Sequence, residues 1–170
     1  MENITSPASI AHNFINKYQA DKEHFTTLPI WVSRIAKKQG LNTLHKPLNA
    51  SIAGILIRIH ANEPLTAIVN TNDDIPTQRF TLAHMLGRTI VQHINEETEP
   101  IVQIITRKNI NLKSRDNTDR WANTFACALL VPKHPLCALR AHRMKRQELA
   151  DQFRVPKRVV VYCCRQLHLH

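Results

Sequence analysis

The sequence predicts an α+β domain in which helices come first, a small antiparallel sheet follows, and a helical half completes the chain. Two observations carry this. Ile55, Ile57 and Ile59 alternate with other residues, as one face of a strand requires, and Ala67-Ile68-Val69 is a short apolar run suited to a second strand. From Thr77 the apolar spacing turns helical and stays so almost to the end. No internal repeat or low-complexity stretch interrupts this plan.

The elements follow in order. Ser6-Pro7 makes a cap and first turn for a helix over Ala8 to Ala20, with Ile10, Phe14 and Ile15 on one side. Pro29 opens a second helix to Gln39, closed by Gly40. The segment Leu41 to Leu48 leads to strands over Ser51 to His60 and Leu65 to Thr71, and the polar run from Asn70 to Pro76 reads as a loop. Thr77 to Ile94 is one long helix. Pro100 to Arg107 is either a short strand or an extra turn. Asn117 to Leu130 is a helix stopped by Pro132, and shorter helices are expected around 134–144, 146–153 and 156–168. The domain plan is a main domain over 1–132, with 133–170 as a basic helical extension packed on it.

Composition narrows the function classes. An apolar fraction of 43% allows a packed core in a single domain of this length. No apolar run approaches the roughly 20 residues that cross a bilayer, and the first residues lack a signal peptide's basic start and apolar centre. No membrane association and a cytoplasmic location are the expectation. Cys127, Cys137, Cys163 and Cys164 form no C-x-x-C pair and read as small buried residues in a reducing compartment. Of the net charge of +10, most comes after Pro132, where nine cations face only Glu148 and Asp151. Such a segment attracts polyanions or forms a solvated basic face.

The chemistry-bearing stretches are Arg79-Phe80-Thr81-Leu82-Ala83-His84-Met85-Leu86-Gly87-Arg88 and Asp119-Arg120-Trp121-Ala122-Asn123-Thr124-Phe125-Ala126. A helical H-E-x-x-H sets two imidazoles on one metal because residues four apart lie roughly 40° apart around the axis. Together the two stretches resemble the ImmA/IrrE family of zinc metallopeptidases, whose helices read close to R-F-T-L-A-H-E-L-G-H and E-x-x-A-N-x-F-A-x-x-L-L-M-P. The resemblance implies a zincin-like fold, with the small sheet packed on the active-site helix. It makes His84 the first zinc ligand, and Asp119 replaces the family's Glu as the third. It also makes Asn123 a binding residue, and puts His93 at the place of a further family histidine.

The departures matter more. Met85 stands where the general base belongs, and a general base contributes about 10²- to 10⁴-fold in rate. Arg88 stands at the second ligand position and has no lone pair for a metal. His93, nine residues beyond His84, is roughly 180° around a helix from it and is a poor substitute ligand. His84 and Asp119 are therefore vestigial ligand positions, with no cofactor and no catalysis expected. Arg88 either pairs with Asp119 in the metal's place or reaches to solvent.

The expected function is a non-catalytic, metallopeptidase-like regulator that binds a protein partner. The resemblance implies an XRE-type repressor as partner, in an antirepressor or antitoxin-like role often encoded in phages or mobile elements. Arg88, His93 and Asn123 are its candidate binding residues. One rival is an active zinc peptidase with a rearranged metal site. Another is a DNA-binding protein using its basic C-terminal helices, where 147–162 superficially resembles a helix-turn-helix and Lys157, Arg158 and Arg165 lie on the second helix. His168 and His170 are assigned no role.

Overall fold

The computed structural model describes residues 6–20, 28–94 and 98–169; residues 1–5, 21–27, 95–97 and His170 lie outside the described part. The elements are α1 (Pro7–Ala20), α2 (Val32–Lys38), β1 (Asn42–Lys46), β2 (Ile52–Arg58), β3 (Thr66–Asn70), α3 (Ile75–Val91), β4 (Ile101–Thr106), α4 (Asn117–Leu130), α5 (Lys133–Ala141), α6 (Arg146–Phe153) and α7 (Lys157–Gln166). The fold is α+β, of the kind zincins share. Pro100 to Arg107 resolves as a strand, not a turn.

The sheet has the order β1-β3-β2-β4. β2 runs antiparallel to both β3 and β4, but β1 pairs with β3 in parallel, with Leu44 opposite Ile68. The expected antiparallel sheet is thus corrected to a mixed one. The cause is connectivity. β1 and β3 point the same way because β2, which runs back between them in sequence, takes its place on the far side of β3.

Helix boundaries follow capping chemistry. α3 starts two residues before the expected Thr77 because Asp74 caps it, its Oδ1 accepting from Thr77 N at 2.8 Å, and Pro76 is tolerated in the first turn. It stops before the expected Ile94 because His93 takes a left-handed backbone, φ 52°, and Ile94 N donates to Thr89 O at 3.1 Å. α2 begins at Val32, not Pro29: the Ile30 carbonyl is held outside the helix by Arg79 Nη2, at 2.7 Å. The termini of α4 fall where the sequence places them, with Asp116 as N-cap.

α3 is the central element, buried nearly all round from Gln78 to Gly87. It packs on β2, β3, α2 and α4, while α1 packs on the other side of α4. Small residues allow the α3–α4 approach: a Cβ on Gly87 would lie 2.9 Å from Ala122 Cα. Phe125 anchors the α1 side, stacking on Trp121 and meeting Phe14 edge-on, both at 5.8 Å. Leu149, Phe153, Val159 and Val160 of the basic C-terminal segment belong to the same core as Phe80 and Leu86.

Candidate functional site

α3 and α4 bring His84, Arg88, Asp119 and Asn123 to one place. Arg88 Nη1 donates to Asp119 Oδ1, closing the two helices with a charge-assisted bond. The side chains of Arg88 and Asp119 are only 13% and 4% exposed, so the pair is interior and Arg88 does not reach out to solvent. Arg88 Nε also reaches Gln103 Oε1 of β4, at 3.4 Å.

Asp119 is held on every side. Its second oxygen accepts from Asn109 Nδ2 at 2.9 Å and from Ser114 Oγ at 3.4 Å. Its backbone N–H is bound by the capping Asp116 at 2.8 Å. Asn123, one turn on, donates through Nδ2 to the carbonyls of Asn109 and Asn111, at 3.1 and 3.0 Å. That fixes the amide so that Oδ1 accepts from His84 Nδ1 at 2.9 Å. The imidazole is therefore protonated on Nδ1 and presents a bare lone pair at Nε2.

That Nε2 is buried with no hydrogen-bond partner and lies 3.7 Å from Asp119 Oδ1. A lone pair facing a carboxylate is unfavourable, and the Arg88 guanidinium on the same Oδ1 offsets it. Burial is the main cause that pushes the His84 pKa down to about 4; the bond to Asn123 and the charge of Asp119 act upward against it, and Arg88 adds a smaller downward effect.

A catalytic zinc ion takes three protein ligands and keeps one open position. Here His84 Nε2 and Asp119 supply two donors, and the third position holds a permanent cation that only donates hydrogen bonds. Among the described residues no group of three His, Cys, Asp or Glu side chains is placed to hold a metal ion. The residues present do not fit a catalytic zinc centre. Met85 is fully buried, and its thioether lies where a Cβ on Gly54 would meet it at 3.0 Å, so it packs against β2.

His93 is not brought into this cluster. It sits on the surface past the C-cap of α3 and acts as that helix's stop. Asn123 is interior, and its amide orients His84 and the loop 109–111. Sequence reasoning missed Asn109 and Ser114, which lie in the irregular stretch between β4 and α4, and Gln103, a polar residue within the apolar run of β4. It also missed Arg79, whose Nε and Nη2 bind the carbonyls of Arg154 and Ile30 at 3.0 and 2.7 Å, tying α3 to the α6–α7 turn. Burial, with the charge of Arg154, brings the Arg79 pKa down to about 10.

The layout of α3 on a small sheet, with α4 set against it, is that of a zincin-like domain. Residues 36–165, from within α2 almost to the end of α7, match the family model described as the IrrE N-terminal-like domain, and the chain belongs to that family. No curated protein sequence matches it. No helix among the described residues is long and apolar enough to cross a membrane.

Proposed function

We propose that this chain is a non-catalytic member of its family, a regulator that holds no zinc and works by binding a protein partner. The observation that carries this reading is the Arg88–Asp119 pair: a fixed cation occupies the side of the site where the second metal ligand would stand. Met85 at the base position, packed against Gly54, gives the same answer for proton transfer. The partner the family resemblance suggests is an XRE-type transcriptional repressor, in an antirepressor or antitoxin-like role. β4 is an edge strand of the sheet among the described residues and its Gln103 touches Arg88, so an extended segment of the partner can add beside the site.

Metal analysis with pull-down from the native host tests this. The expected result is less than about a tenth of an equivalent of zinc per chain, with an XRE-type repressor captured and left uncleaved. A full equivalent of chelator-removable zinc, with cleavage of the repressor, would overturn it. A second reading rests on Lys145, Arg146 and Lys157, which are exposed and line one hollow with Arg140 and Gln147. Duplex DNA binding there would show affinity that falls steeply with salt.

A further inference from the structure

α1 and α7 both pack on α4. The space left between them is a cavity of about 570 Å³, to whose wall the start of α5 also contributes. That size lies within the range of small-molecule sites. It is left open by small side chains, Ala8 and Ser9 on α1, Thr124, Cys127 and Ala128 on α4, and Cys163 on α7. The face of α4 that lines it lies roughly 110° around the helix from Asp119 and Asn123, so it is separate from the cluster at Arg88.

Polarity in the cavity changes with depth. Of the side chains that line it, Ile15, Cys127, Val131 and Cys163 are buried and form its floor. The floor is uncharged as well as apolar: burial, then the hydrogen bond to Cys163, pushes the Cys127 thiol well up, so it stays protonated. On the wall, the Thr124 hydroxyl is already donated to the Arg120 carbonyl at 2.9 Å. The exposed rim is basic, with His12, Lys133 and His134 beside neutral Ser9 and Gln166. No Asp or Glu is among the described residues that line the cavity. α5 begins at this rim, at Lys133, and no side chain caps its first backbone N–H groups, which favour an anion.

We infer that this cavity binds a single-chain aliphatic carboxylate, its hydrocarbon tail against Ile15, Val131 and Leu167 and its head at the rim beside Lys133, His12 and His134. Charge complementarity selects the head: the lysine and the start of α5 attract a carboxylate and repel a cation. The floor selects the tail, because aliphatic carbon and protonated thiols favour hydrocarbon over any group that must keep its hydrogen bonds. The site uses neither the edge of β4 nor the Arg88–Asp119 pair, so it is independent of the partner reading above.

Isothermal titration calorimetry of the untagged full chain near neutral pH tests it, with octanoate, nonanoate and decanoate as probes, each below its micelle concentration. One site per chain is expected, with a Kd of about 10–100 µM for decanoate. Kd should fall roughly fourfold with each added methylene. Decyltrimethylammonium, with the same tail and a cationic head, should bind at least about tenfold more weakly. Lys133→Glu should raise the decanoate Kd at least about threefold, and glutamate in the first turn of α5 suits the helix, so the fold holds. The same charge change in Lys108→Glu, at an exposed residue that does not line the cavity, should leave Kd unchanged. Ala128→Phe fills the cavity and should abolish binding, with far-UV circular dichroism as the folding control. The absence of saturable binding overturns the inference. So does a Kd indifferent to chain length, a cationic head bound as tightly as the carboxylate, or a Lys133→Glu variant that binds as well as Lys108→Glu.

Discussion

The inner side of the sheet buries polar groups, and the outer side exposes aliphatic ones. On the inner side Arg58 is buried, its guanidinium bound at 3.0 Å to each of the carbonyls of Glu63, Glu99 and Ile94. Gln103 and His45 meet side chains of α3 on the same side. On the outer side Leu44, Val102 and Ile104 face solvent, and the polar residue in the outward register at one end, Asn70, is buried and bound to the backbone of Leu48, Asn49 and Ile52. Buried polar groups persist when they are partnered, whereas exposed aliphatic side chains carry no such requirement. The inner side thus holds its polar groups in a closed network, and the outer side presents aliphatic side chains to solvent.

The largest effect that separates the two comes from breaking the interior ion pair on one side only. Asp119→Ala strands Arg88, Asn109 and Ser114, and should cost about 3–5 kcal/mol in urea unfolding. Replacing both partners, as Arg88→Met with Asp119→Leu, should cost much less, because no buried charge remains unpaired. Equal losses in the single and double variants would mean the pair is not the closure it looks to be.

Next is acid. The folded His84 has its pKa near 4, against 6.5 for the free side chain. Between those values the unfolded chain binds a proton that the folded chain refuses, so stability must fall as pH drops from about 6.5 to 4, and this contribution levels off below. The loss is on the order of 3 kcal/mol. His84→Gln should flatten that window in a series of denaturation curves.

Smaller again is Gly87→Ala. The added Cβ would meet backbone of α4, Ala122 Cα at 2.9 Å and O at 3.1 Å, so α3 and α4 must part, at a cost of roughly 1–3 kcal/mol. The smallest effect belongs to the outer face. Ile104→Thr should change monomer stability by no more than about 0.5 kcal/mol. Its neighbour Ile105→Ala, on the buried side, should cost about 2–5 kcal/mol. Thermal and urea unfolding at low protein concentration measures both.

Much of this was legible in the sequence, for stated reasons. α4 was readable to its last residue because Pro132 bars continuation, and the α3 and α4 motifs were readable because ligand spacing is a helical property. The pairing of Arg88 with Asp119 was one of two outcomes those positions allowed, and the fold, which buries both side chains, decides for it. What was not legible depends on long-range neighbours. Nothing local tells β1 to join β3 in parallel. Asn109 and Ser114 reach Asp119 from a loop whose path only the fold sets. His93 looked like a family histidine, and the structure gives it a backbone task.

That task recurs. Ile94, Met144, Val155 and Leu169 each donate back to a carbonyl five residues earlier, across His93, Arg143, Arg154 and His168 in left-handed conformation. Only α2 ends this way on glycine, Gly40, in a chain with three glycines. The punctuation of this fold is therefore written in basic residues. Arg143 and Arg154 set positive charge at the carbonyl-rich ends of α5 and α6, where the peptide dipoles favour it. Part of the cost of the backbone twist is returned electrostatically, so ionic strength tunes how firmly these helices end, a dependence that glycine stops would lack.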